Sequence, residues 1–130
     1  MELLWNICYI NPNTLAPGQF EPIQLPEQLA ASGTLNVIKE GSTVYITDIK
    51  IRSVSTPLSE DPSAHVILLE NDIPTRLLIF SFNARDGWHP VTPIVVDARV
   101  GIKTQLAIVC ASLSGLSDSF LIQAAGRLTR

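Results

Sequence analysis

The chain has little of what most chemistry needs. Its 130 residues include two cysteines, two histidines, one methionine and 6% aromatics. Cys8 and Cys110 do not make a disulfide framework and have no metal-ligand spacing. Cys110 lies inside the apolar run LAIVCAS and reads as a buried free thiol. A Cys8–Cys110 bridge is the alternative; a reducing compartment is the simpler reading. His65 and His89 stand 24 residues apart and lack the His-x-His pair, Glu and later His of a metal-binding jelly roll such as a cupin. There is no Gly-x-Ser-x-Gly nucleophile elbow, although a triad assembled from distant positions stays open. The seven glycines are scattered singly, so no phosphate-cradling loop is present. Asp86 and Asp97 flank the Trp88 turn as a conceivable carboxylate pair, and read more simply as a turn residue and a solvated strand end. The expectation is a chain that is not an enzyme and holds no cofactor or metal.

Charge is also scarce, at 16% of residues against roughly 25% for an average chain, and mean hydropathy is +0.27. Residues 1–38 hold Glu2, Glu21 and Glu27 and no Lys or Arg, while residues 39–130 hold nine acidic and nine basic residues. The net charge of −3 therefore falls wholly on the N-terminal stretch. No basic patch suits nucleic acid. The missing basic n-region argues against a secretory signal, although LLWNICYI is apolar. The emptiest stretch, 104–126, carries only Asp118 but is broken by serines and Gly115, so it reads as two strands and a turn and not as a membrane span. Apolar surface beyond what a core needs is assigned to protein contacts, or else simply fills a core under a Ser/Thr/Gln surface.

What is present is a run of short apolar segments from Gly41 to Gly126, punctuated by turn residues. The pieces are 42–53, 64–71, 75–83, 92–98, 104–112 and 118–130, with the turn RDGWHP at 85–90 and Leu3–Ile10 as a further strand. In 42–53, strict alternation puts Tyr45, Thr47, Ile49, Ile51 and Ser53 on one face and Val44, Ile46, Asp48, Lys50 and Arg52 on the other. Residues 55–63 read as a loop, and Asp86-Gly87 and Ser114-Gly115 as tight turns. Turn signals every 8–12 residues or so predict an all-β fold, a single β-sandwich or jelly-roll domain of about 7–8 antiparallel strands. At this length one domain buries roughly 65–70% of its unfolded surface.

Residues 1–34 have a different texture and are expected as an extended Pro-rich N-terminal arm ahead of a sandwich over 35–130. Pro12, Pro17, Pro22 and Pro26 break pairing between the apolar anchors Leu15, Phe20, Ile23, Leu25 and Leu29. Such an arm either lies across another surface or packs along its own sandwich and covers an edge. Residues 26–32 suit one helical turn opened by Pro26. Trp5 and Tyr9 share a face if extended and suit an intersubunit pocket, with Phe20 and Leu25 as arm anchors. Trp88 is either a plug for the sandwich end or an exposed contact anchor. Arg127 and Arg130 are solvated or meet an acidic partner surface. These seven are the candidate interface residues.

The order Gly-x-x-Val-Tyr-Ile-Thr-Asp-Ile (41–49), Gly-Trp-His-Pro-Val-Thr-Pro-Ile-Val-Val (87–96), Thr-Gln-Leu-Ala-Ile-Val (104–109) and Ala-Gly-Arg-Leu (125–128) resembles small β-sandwich virion proteins of tailed bacteriophages. These are capsid decoration (cement) proteins and related head or tail fibre modules. The resemblance runs from Gly41 onward and leaves out residues 1–34. It implies a non-enzymatic homo-oligomer, a trimer before other states, that binds the major capsid protein between capsid subunits and stabilises the shell. It also implies a place on the capsid exterior after synthesis in the bacterial cytoplasm, with no nucleic-acid or membrane partner. The alternative expectation is a carbohydrate- or receptor-binding module of a phage tail or baseplate, against which the low aromatic content weighs.

Overall fold

The computed structural model describes residues 2–54, 64–79, 87–111 and 119–130. Among them the chain is all-β, with eight strands: β1 (Glu2–Ile10), β2 (Phe20–Pro22), β3 (Thr43–Ser53), β4 (Ala64–Glu70), β5 (Ile73–Ile79), β6 (Ile94–Asp97), β7 (Thr104–Cys110) and β8 (Phe120–Thr129). The loop expected at 55–63, the Ser114-Gly115 turn, residues 80–83 of the third expected strand and Asp86 lie outside the described residues.

The strands make two antiparallel four-stranded sheets, ordered β1-β8-β3-β6 and β2-β7-β4-β5. Four of the pairings follow one rule: β1 pairs with β8, β2 with β7, β3 with β6 and β4 with β5. The chain thus doubles back on itself at its middle, at the turn between β4 and β5. Asn71 and Asp72 make that turn with φ of 53° and 69°, the left-handed pair that matches the twist of a two-residue hairpin. The remaining contacts, β8 with β3 and β7 with β4, wrap this long hairpin into two layers. One hydrophobic cluster draws on both: Trp5, Ile7, Val44, Ile46, Ile51, Phe120, Ile122 and Leu128 from the first sheet, and Val66, Leu68, Leu106, Ile108 and Cys110 from the second.

Two findings differ from the sequence reading. The first is the expected arm. β1 pairs with β8 along its whole length, and Leu15, Ile23, Leu25 and Leu29 are buried in the chain's own core. Ile23 donates its N–H to Leu106 O and Ile38 to Thr104 O, which carries the segment along β7. Bonds from Leu25 N to Leu35 O and from Lys39 N to Leu29 O cross the expected boundary between residues 34 and 35. The prolines interrupt pairing only between anchors, so each anchor still reaches the core. Residues 26–30 do form one turn, with Leu29 N and Ala30 N both donating to Pro26 O.

The second difference is the phase of β3. Its buried residues are Val44 and Ile46, then Ile49 and Ile51. Strict alternation would leave one of these pairs in water. The ladder with β8 shifts register between Ile46 and Asp48, so Thr47 is an extra residue and the strand changes phase there. The Thr47 hydroxyl sits 3.2 Å from Ala125 O and 3.0 Å from Asp48 Oδ2, which fixes the bulge. Across from it, Gly126 leaves room that no other residue does. A Cβ there would stand 1.9 Å from Tyr45 O and 2.7 Å from Trp5 Cζ2. The Trp5 ring lies in that space, 3% exposed, and its indole N–H donates to Arg127 O at 3.0 Å. Replacing Gly126 by Ala forces the backbone of β3 or the Trp5 ring to move. Chemical denaturation of Gly126→Ala is expected to show a loss of about 3 kcal/mol, at the upper end of overpacking costs; an unchanged midpoint would show that the Trp5 contact does not constrain the sheet.

Candidate functional site

The outer face of the first sheet is made of rows that the pairing registers define. Leu4, Arg127 and Tyr45 form one row; Asn6, Ala125 and Asp48 the next; Cys8, Gln123 and Lys50 the third; Ile10, Leu121 and Arg52 the last. These residues share a face because β1 and β8 alternate regularly and β3, beyond its bulge, is in phase with them. Ala125 is small, and the face dips over it. Beyond β3 the segment Gly87–His89 closes the dip, because Trp88 and Ile49 exchange backbone bonds of 2.9 and 3.2 Å and continue the sheet edge past β6. Gly87 holds φ at +88°, which suits the turn that delivers Trp88.

The result is a groove of about 540 Å³ lined by Asn6, Cys8, Asp48, Lys50, Trp88, His89, Gln123 and Ala125 among others. Trp88 is half-buried: it packs against the core cluster and also walls the groove. Its packing on the core fits the plug reading, and its remaining surface faces the groove. His89 Nδ1 meets Asp48 Oδ1 at the groove's rim, both well exposed. Neither Cys8, which is exposed, nor Cys110, which is buried, is in a disulfide. The lining offers amides, a carboxylate, an ammonium group and one aromatic wall, a set that suits hydrogen bonding to a neutral polar ligand. Among the described residues, no three of His, Cys, Asp and Glu come together as metal ligands would.

The other sequence candidates fall in three places. Trp5 and Leu25, at 3% and 5% exposure, are spent on the chain's own core and present nothing to a neighbour. Phe20 is exposed on β2. Arg127 lies 4.3 Å over the Tyr45 ring and pairs with Glu2 Oε2 at 2.9 Å, while Arg130 donates to Gln28 O at 2.6 Å. Both arginines are thus held by intramolecular partners. Sequence reasoning missed Asn6, Gln123 and Leu4: each is ordinary alone and matters only through the rows.

Tyr9 points inward from β1 toward β2, packed against the core. Burial, and then the Glu21 carboxylate beside its hydroxyl, push its phenol above the ordinary value of 10.0. A raised phenol favours the neutral form in the folded chain. Its contribution is complete below pH 10 or so and is lost as pH rises through the folded value. Phenolate absorbance should therefore show one tyrosine titrating late, and Glu21→Gln should bring it part of the way back, since burial remains. A late tyrosine that ignores Glu21→Gln would remove the carboxylate from this account.

Compared with known proteins, the chain matches no family model, no curated protein and no solved structure.

Proposed function

We propose that this chain is a non-enzymatic structural protein of a tailed-phage particle, a capsid decoration protein that binds between major capsid subunits and stabilises the shell from outside. The observation that carries the reading is β1. It is an edge strand of nine residues whose outer face exposes Leu4 at 78% and Ile10 at 54%, with no charge after Glu2. A long, apolar edge is a docking element when, as here among the described residues, the backbone groups of its even-numbered residues and its outward apolar side chains lack partners. The strand order also supports reading the two sheets as a jelly-roll sandwich, an architecture used by capsid and lectin domains alike, which is an argument from fold analogy. The purified chain should co-sediment with empty shells assembled from the major capsid protein of a tailed phage. Ile10→Lys should weaken that binding by about tenfold or more, as a charge placed in a desolvated contact does. Protein that stays in the supernatant sinks the reading.

A second reading, a carbohydrate-binding module of a tail or baseplate, is favoured by the groove, whose Trp88 wall and Asn6 and Gln123 amides suit a sugar. A glycan array should then give hits that Trp88→Ala abolishes. Hits that survive the substitution, or none at all, count against it.

A further inference from the structure

The four edges of the two sheets are not treated alike. β2 is three residues long and contains Glu21 and Pro22. β5 carries Pro74 and Arg76, and its ladder with β4 has two register shifts. β6 is four residues long, ends in Asp97, and has Val95 O occupied by Arg76 Nη1 at 3.0 Å. Shortness, charge, proline and bulges are the usual protections of a sheet edge. β1 has none of them: nine residues, a continuous register with β8, no proline, and Glu2 as its one charge, already paired with Arg127.

The direction of its free groups can be fixed. Asn11, one residue beyond β1, donates its N–H to Phe120 O at 3.3 Å, and Val54 N donates to Ser119 O at 2.8 Å on the far side of β8. Even-numbered residues of β8 thus face β1, and odd-numbered residues face β3. By alternation, odd-numbered residues of β1 bond to β8. The N–H and C=O groups of Glu2, Leu4, Asn6, Cys8 and Ile10 point to the open edge and meet no described residue.

We infer that β1 pairs antiparallel with β1 of a second copy about a twofold axis at Asn6, joining the first sheets of the two copies into one eight-stranded sheet. The occupant is a second copy because this strand is complementary to itself. Centred on Asn6, every residue of β1 is paired: Glu2 with Ile10, Leu3 with Tyr9, Leu4 with Cys8, Trp5 with Ile7. No like charges meet. The residue on the axis is an amide, which offers both donor and acceptor to its own copy, as an isologous contact requires. Centring on Trp5 or Ile7 leaves two residues of the strand unpaired. The even-numbered residues, which already aim outward, become the hydrogen-bonded pairs. The axis stands normal to the sheet, so both grooves open on the same face. The inference rests on reading β1 as a docking edge, and it predicts a twofold contact where the resemblance implies a trimer.

The test is the solution mass of the pure chain together with two substitutions. The wild type should run at twice 14.2 kDa. Asn6→Pro removes the edge-facing N–H and the axial amide but no bond to β8, so it should keep the strand signal in circular dichroism and raise the dimer dissociation constant by about tenfold or more. Leu4→Cys should cross-link under mild oxidation to Cys8 of the second copy, while the wild type, whose two Cys8 thiols are out of register, should not. A monomeric wild type, a dimer indifferent to Asn6→Pro, or no Leu4→Cys cross-link each overturns the inference. Shell co-sedimentation is read separately: binding by a monomer leaves the decoration reading standing, and a dimer that ignores shells removes that reading alone.

Discussion

The first sheet depends on one contact, the Trp5 ring lying where Gly126 has no side chain. Three strands meet there. The ring belongs to β1, the vacancy to β8, and the backbone oxygen that forbids any larger residue to Tyr45 of β3. The indole N–H is tied to Arg127 O, so the ring is both packed and oriented. The neighbouring bulge at Thr47 lets β3 bury Val44 and Ile46 before it and Ile49 and Ile51 after it. A glycine inside a strand normally weakens it; here a buried aromatic ring covers it. Close packing on the inner face and the dip over Ala125 on the outer face therefore sit within two residues of each other on β8.

Much of the architecture was legible in the sequence. Seven of the eight strands follow from apolar segments bounded by turn residues, and their expected limits fall within a few residues of the observed ones for β1, β3, β4, β6 and β7. β2 was not legible, because three residues with a proline among them have no periodicity to detect. The phase change of β3 was not legible either. Thr47 fits a strand either way, and only the conflict between Ile46 and Ile49, both wanting burial, hints at an extra residue. For the N-terminal stretch the sequence left two readings open, and the anchors take the second, packing on the chain's own sandwich: proline spacing describes where the backbone cannot pair, not what its apolar anchors touch. Leu25 looked available for the same reason and is buried.

The groove was the least legible part. Its residues come from β1, β3, β8 and the segment Gly87–His89, and none of these segments announces the others. Trp88 drew attention as a large ring after a turn. Asn6, Gln123 and Asp48 did not, because a polar residue on a strand's outer face is what any solvated sheet shows. Register alone makes them neighbours. The arginines illustrate the converse: Arg127 and Arg130 stood out at the end of an apolar strand, yet their guanidinium groups are taken by Glu2, Tyr45 and Gln28 of the same chain.

The pairing of first strand with last has a consequence for how the chain is made. Trp5 and the carbonyl it binds are 122 residues apart in sequence. As the chain is synthesised, β1 emerges long before β8 exists to receive it. The β4–β5 pairing spans a two-residue turn, and each pairing outward from it joins strands farther apart in sequence. Contacts of such long sequence separation form late and slowly. Throughout that interval the apolar residues of LLWNICYI have neither edge satisfied. The segment most suited to meeting another strand is thus also the one that waits longest on the ribosome without its own, which makes it the natural point for chaperone protection or for misassembly.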